Sequence, residues 1–342
     1  MKQILRKYGK TSKELIELKD DFFTNNSEIL SEEKRINNIY IKQQKRKECK
    51  NCNDRLGDSL FTKLKVPYTF CERCGHLNGL YEDSFAFANQ IYANSDRHFN
   101  EYKENIDKRL DAIYTPKADF LFSVLEKEGV NPKNLSYCDF GCGNGLFLLA
   151  LKKMGINKLK GYEVSLNEVE FSNELFQEKT VEFINMQETL ETVHKLDSEV
   201  ISLIGVLEHL QDPRAILSAI ETNKKIKYVF IAVPMFSINV FIELVFQDQI
   251  APRNLTGDHT HLYTEKSIDW FCKEFNFQKI GEWWFGTDMV DFYRSVFGVL
   301  DEKMRKLWTN TFKDLIDDLQ VVVDKHHLSS EFHFVLKKDL KP

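Results

Sequence analysis

Two pairs of cysteines, Cys49/Cys52 and Cys71/Cys74, stand eighteen residues apart in a chain of 342. A tetrahedral Zn²⁺ ion takes four soft ligands, and each Cys-x-x-Cys turn delivers two thiolates from one tight knuckle. The separation of the pairs falls in the range of zinc ribbons. Gly75, Asn51 and Asn53 flank the cysteines, where a knuckle needs left-handed backbone. Four protein ligands leave no open position for a reacting water, so the expected role of the metal is structural. His76 is a poorer fifth choice because it lies too close to Cys74 in sequence.

A second group of residues is Cys138-Asp-Phe-Gly-Cys-Gly-Asn-Gly145. It follows an apolar run and precedes a helical pattern, which places Gly141, Gly143 and Gly145 on a loop at the carboxyl end of a strand. Glycines there let the backbone approach a nucleotide-like ligand closely. Glu163 ends the next strand, twenty-four residues after Asp139, where a carboxylate can accept both hydroxyls of a ribose. The spacing departs from the dinucleotide fingerprint G-x-G-x-x-G. Asp139 would repel a diphosphate, and it suits a ligand with positive charge such as S-adenosylmethionine, which carries an ammonium and a sulfonium.

The elements that must hold these residues are legible from period and length. Strands are expected at 135–140, 158–164, 180–185, 200–203, 228–233, 277–285 and 331–337. Helices are expected at 117–127, 146–154, 168–178, 188–196, 212–221 and 265–274, with more between 288 and 325. Such alternation indicates βαβ units and a parallel sheet. The fold class expected is α/β: a Rossmann-like, mostly parallel, seven-stranded sheet with an N-terminal zinc knuckle and helical additions. The expected divisions are a helical extension (1–47), the knuckle (48–80), a helical, aromatic connector (81–130), the cofactor-binding core (131–287) and C-terminal helices with the last strand (288–342).

Three motifs in order resemble class I S-adenosylmethionine-dependent methyltransferases: Asp139-Phe-Gly-Cys-Gly-Asn-Gly145, Gly161-Tyr-Glu-Val-Ser165 and Val206-Leu-Glu-His-Leu-Gln-Asp-Pro213. The resemblance covers roughly 130–285. It implies that Gly141, Gly143 and Gly145 line the methionine end and that Asp139 helps to hold the amino group. By the same resemblance Glu163 binds ribose, while Met186 and Gln187 face adenine.

Histidines follow two strand ends, in Glu208-His209 and in Asp258-His-Thr-His261. Histidine titrates near neutrality and serves as a general base when a carboxylate orients it. Gly257-Asp-His-Thr-His-Leu-Tyr-Thr264 resembles the acid-His segment of the zinc-containing sugar C-methyltransferases, which join a cysteine-rich region to this core. That resemblance implies His259 as base with Asp258 beside it, and a carbon next to a ketone on a nucleotide-linked sugar as the acceptor. His209 is the alternative base or a substrate contact. Tyr81, Tyr92 and Tyr102 could roof the pocket, although packing of the connector against the core is the preferred reading.

Composition narrows the partners. A net charge of −5 and a pI near 6.0 argue against a polyanionic partner. The basic run Lys42, Lys45, Arg46 and Lys47 reads as a solvated helix face. Helical spacing of Leu15, Leu18 and Phe22 suggests an appendage for self-association. The apolar stretch 228–246 is interrupted by Pro234, Ser237, Asn239 and Glu243, so no membrane span is expected. Met1-Lys-Gln-Ile-Leu5 runs into charge without an apolar signal segment, and the location expected is cytoplasmic, with thiols reduced. The expectation is methyl transfer to a small-molecule intermediate, by carbon or oxygen methylation, in a chain that could form a homodimer. The alternatives are an RNA or protein methyltransferase and a non-catalytic assembly protein that binds the cofactor. Gly205-Val-Leu-Glu-His209 stands where amino-methylating enzymes carry Asn/Asp-Pro-Pro-Tyr, which disfavours amine acceptors.

Overall fold

Apolar runs bounded by Gly, Pro and Asn form the strands, and amphipathic stretches between them return the chain across either face. The computed structural model describes residues 3–12, 16, 25–92 and 105–338. Leu15, Leu18, Phe22, Phe99 and Tyr102 lie outside the described residues, as does the side chain of Tyr92.

The main sheet holds β1 (Leu5–Tyr8), β5 (Tyr137–Phe140), β6 (Leu159–Glu163), β7 (Val181–Phe183), β8 (Val200–Ile204), β9 (Tyr228–Pro234), β11 (Phe277–Phe285) and β12 (Glu331–Lys338). Their order is β1-β11-β12-β9-β8-β5-β6-β7, and β12 alone runs against the rest. The sheet therefore has eight strands where seven were expected. The extra strand, β1, lies in the segment read as helical and pairs in parallel with β11, Leu5 opposite Gly281. The Trp283 indole donates to the Gly9 carbonyl at 3.0 Å and Arg6 meets Glu282 at 2.8 Å. A tertiary partner, the free edge of a long strand, overrides what charge-rich local sequence suggests.

Both sheet faces are covered. On one, Val229, Ile231 and Val233 pack against α7 (Pro213–Thr222) and α9 (Glu265–Glu274). On the other, Phe230, Trp283 and Val335 pack against α3 (Thr115–Lys127) and α4 (Leu146–Lys153). Parallel strands buried on both faces read as nearly continuous apolar runs, as Tyr228–Pro234 does.

The cysteine segment does not fold as a unit of its own. Its strands β2 (Phe61–Lys63), β3 (Val66–Phe70) and β4 (Leu77–Gly79) form an antiparallel sheet completed by β10 (His261–Leu262) from the core. Its apolar layer joins Tyr68 and Leu77 to Ile36 and Tyr40 of α1 (Asn26–Tyr40), Phe87 of α2 (Phe85–Tyr92) and Val240 of α8 (Ile238–Phe246). The expected boundary at residue 80 is thus crossed by hydrogen bonding and by packing.

The basic run is not a solvated helix face. Helix α1 ends at Tyr40, and the buried guanidinium of Arg46 reaches Asp83 at 2.5 Å and Glu82 at 3.1 Å. After β11, α10 (Asp288–Val299), α11 (Glu302–Phe312) and α12 (Ile316–Lys325) pass before β12. No described helix is long and apolar enough to cross a membrane.

Candidate active site

The parallel strands end together above the glycine loop, and a cavity of about 1890 Å³ opens over their carboxyl ends. Asp139, Gly141, Gly143, Glu163, Met186, Gln187, His209, Asp258 and His259 all line it. Gly145 does not. It caps the start of α4 at φ +73°, and a Cβ there would meet the Ser172 hydroxyl at 3.0 Å. Its smallness serves packing against α5 (Leu166–Phe176) instead of the ligand space. Gly141 sits at φ +70°, and an added Cβ would lie 2.7 Å from Val206 Cγ2. The left-handed turn and the close approach together demand glycine there.

Glu163 is buried at the end of β6. Its Oε2 accepts from the Gly143 amide at 2.8 Å, and its Oε1 accepts from the amides of Val164 at 2.7 Å and Ser165 at 3.0 Å. The carboxylate thereby locks the glycine loop to the turn that starts α5. Burial raises its pKa, and the three amides act against that rise. Asp139, at the end of β5, accepts from the Ser202 hydroxyl at 2.5 Å. Burial pushes the Asp139 carboxyl up to about 7, opposed by Ser202 and by the positive charge of Lys117. Two buried carboxylates on neighbouring strand ends, one poised near neutrality, fit a cationic ligand that carries a ribose. Met186 is half-buried and Gln187 exposed, on the turn after β7 that borders the cavity.

Across the cavity, Glu208, His209 and His259 bring one ligand-capable atom each to within 4.8 Å of the others. The imidazoles of His209 and His259 lie 5.0 Å apart between centroids. His259 Nδ1 lies 2.9 Å from the carbonyl oxygen of Asn254, and a carbonyl only accepts, so this nitrogen carries the proton. The lone pair is left on Nε2. Burial disfavours a charged His259 ring, yet Asp258 and Glu208 outweigh it and its pKa is raised. Asp258 accepts from Thr256 at 2.6 Å. Its pKa is depressed despite burial, chiefly by His259 and His209. Glu208 is buried, its carboxyl is pushed up to about 7 by that burial, and its Oε2 has no hydrogen-bond partner among the described residues.

The loop that bears His259 is held from three sides. Glu243 of α8 accepts from the amides of Arg253 at 2.7 Å, Asn254 at 2.6 Å and Leu255 at 3.1 Å. Lys63 of β2 lies 3.0 Å from Glu243 and donates to the Leu255 carbonyl at 2.5 Å. Glu33 of α1 accepts from the Gly257 amide at 2.5 Å. Beyond His259, His76 Nε2 meets His261 Nδ1 at 2.8 Å, both rings fully buried.

The four cysteines cluster away from the cavity. Cys49 and Cys74 sulfurs lie 3.6 Å apart and those of Cys52 and Cys71 3.4 Å, with all four within 4.8 Å of one another. The two knuckles match: Asn53 (φ +58°) donates to the Cys49 carbonyl and Gly75 (φ +73°) to that of Cys71, each at 2.8 Å. His76, spent on His261, stands outside the sulfur group. Tyr81 packs edge-on against Tyr40 and does not line the cavity.

Sequence reasoning did not single out Lys117, Glu331 and His333, which line the same cavity, or Glu33, Lys63 and Glu243, which hold the loop. Only Glu208 had a local signal, its place beside His209 after a strand.

A sheet of this order, with a glycine loop and an acid at the next strand end, defines the class. A family model described as a methyltransferase domain matches residues 102–282, more than half of the chain, and the chain belongs to that family. It is an S-adenosylmethionine-dependent methyltransferase. No curated protein matches it. Among solved structures it is similar to magnesium protoporphyrin IX methyltransferase from Synechocystis PCC 6803 with bound SAH, at 13% identity and a TM-score of 0.44 over 73% of this chain and 92% of that one. A SAM-dependent methyltransferase from Archaeoglobus fulgidus is similar at 17% identity and a TM-score of 0.43, over 71% of this chain and 100% of that one.

Proposed function

We propose that this methyltransferase acts on a small-molecule acceptor and that His259 removes the acceptor's proton. The observation that carries this reading is the His259 Nδ1 contact with the Asn254 carbonyl, which leaves Nε2 as the accepting atom on the cavity wall. S-adenosylmethionine, when bound, supplies an electrophilic methyl group on a sulfonium. Gly141 and Gly143 admit its methionine end, Asp139 attracts its ammonium, Glu163 accepts from its ribose, and Met186 and Gln187 border its adenine.

His259 takes a proton from the carbon or oxygen to be methylated and holds it on Nε2. Asp258 and Glu208 stabilise the imidazolium, and the Asn254 carbonyl keeps the ring oriented. His209 is placed to contact the acceptor or to share the proton. A carbon beside a ketone on a nucleotide-linked sugar matches this machinery, because such a C–H is acidic enough for imidazole. Among the described residues the lysine and arginine on the cavity wall are Lys117 and Arg253, and Arg253 is paired with Asp291 at 3.3 Å.

Zinc bound by Cys49, Cys52, Cys71 and Cys74 belongs to the same reading. Zn–S bonds of about 2.3 Å place sulfurs about 3.8 Å apart in a tetrahedron, close to the spacing of this cluster. The ion would brace the strands that grip the His259 loop.

Incubation with S-adenosylmethionine and nucleotide-linked keto-sugars, followed by mass spectrometry, tests the acceptor class. A gain of one methyl on the sugar is expected. Turnover of other acceptors but none of these would remove the sugar reading and leave methyl transfer standing.

A further inference from the structure

Glu208 and His209 follow β8 and His259 precedes β10, so two segments distant in sequence bring a carboxylate and two imidazoles to the cavity wall. One ligand-capable atom from each lies within 4.8 Å of the others, and His209 Nε2 stands 4.0 Å from Glu208 Oε1. Glu208 is 3% exposed, and its Oε2 has no hydrogen-bond partner among the described residues. A buried carboxylate oxygen left bare is costly, and such groups persist where a ligand completes them. His259 is oriented as a metal ligand is: its Nδ1–H goes to the Asn254 carbonyl, which fixes the tautomer and leaves the lone pair on Nε2. Asp258 interacts with the charge of both rings and adds a second acid beside them.

Two imidazoles and one carboxylate are the ligand set of a zinc-type ion, whereas Mg²⁺ and Ca²⁺ take oxygen. Ligand atoms of tetrahedral zinc lie about 3.4 Å apart, so an entering ion draws the three groups inward. The His209 side chain, 26% exposed, has room to turn. We propose that Glu208, His209 and His259 form a second, exchangeable site for a zinc-type divalent ion, and that its occupation switches methyl transfer off. Three protein ligands leave a fourth position for water from the cavity. The ion and the acceptor's proton compete for one lone pair, that of His259 Nε2, so coordination and base action exclude each other. The switch rests on the reading of His259 as the base, and the site itself does not. It is separate from the four buried cysteines, whose softer thiolates supply all four ligands of their own ion.

Cobalt serves as the probe, because its absorption reports its ligands. Co²⁺ is titrated into the full chain with zinc already on the cysteines. One further ion per chain is expected, with visible ligand-field bands and without the near-ultraviolet charge-transfer band of thiolate ligation. Zn²⁺ should displace it and Mg²⁺ should not. Glu208→Gln, His209→Gln and His259→Gln should each weaken this ion by about tenfold or more, since loss of a ligand costs at least as much as loss of the group that orients one. Zinc on the cysteines should stay at one per chain in all three. His209→Gln, at a partly exposed position, covers the case in which a change at buried Glu208 is not tolerated in the fold. These binding measurements need no acceptor. In the keto-sugar assay the rate should fall in proportion to occupancy of the second site, and return with a chelator too weak to strip the cysteines. Absence of a further ion, or equal affinity in all three variants, overturns the site and leaves His259 as the base. A further ion bound as described with turnover unchanged overturns the switch and removes His259 as the base. A rate that rises with the ion also overturns the switch, and makes the metal part of the reaction.

Discussion

The Nδ1 of His259 is seated 2.9 Å from the backbone carbonyl of Asn254, and the same residue's amide is seated 2.6 Å from Glu243. One loop residue thus fixes the tautomer of the histidine and is itself fixed by a buried carboxylate. The proton-accepting nitrogen is set by backbone geometry, so a neighbouring acid is not needed to orient the ring, and Asp258 is left to act through its charge.

Replacement of His259 by Gln should lower kcat by about 100- to 10,000-fold, with S-adenosylmethionine affinity near wild type. A base must be neutral to act. Because the pKa of His259 is raised, the acid limb of the rate profile should fall above pH 6.5. Steady-state rates between pH 5.5 and 9 check this, and full turnover in the variant would move the role to His209.

Cofactor binding should release a proton at and below pH 7. Asp139 is pushed up to about 7 by burial, so in the empty site it is substantially protonated there. An incoming ammonium favours the carboxylate and displaces the proton, and affinity should weaken as pH falls. Titration calorimetry at pH 6.5 in two buffers of different ionisation enthalpy measures the release. Asp139→Asn should abolish it.

Glu243→Gln should destabilise the fold by about 3–5 kcal/mol, the cost of stranding a buried charge, here Lys63. The charged carboxylate also receives three loop amides, so kcat should fall even in the fraction that stays folded. Denaturant unfolding with parallel rate measurement separates the two effects. A double change of Glu243 and Lys63 to apolar residues should recover stability more fully than activity.

Cys71→Ser should reduce bound zinc from one per chain to none and lower Tm by several degrees, since a structural ion contributes folding energy. Metal analysis with thermal unfolding decides it. Because β10 pairs with β4 of the cysteine segment and follows the His259 loop directly, proteolysis or hydrogen exchange should also show loosening at residues 255–262, far in sequence from the cysteines.

The fold was legible because its signals are local. Strands such as Phe277–Phe285 and helices such as Glu265–Glu274 carry their period and their caps within a few residues, and both lie where the pattern puts them. The glycine loop, the acid at the end of β6 and the paired cysteines are equally local, because a turn or a knuckle is built by adjacent residues. What only tertiary structure decided is everything that depends on partners distant in the chain. Strand β1 exists because β11 offers it an edge, and Arg46 is buried because Asp83 meets it. Lys117 opens an ordinary helix by sequence, yet the strand ends surround it with a cavity and with the charge of Asp139. Glu33, Lys63 and Glu243 converge on one loop from three segments whose only relation is the packing of the folded chain. Burial and long-range pairing set the charge and placement of such groups, and neither is a property of a short stretch of sequence.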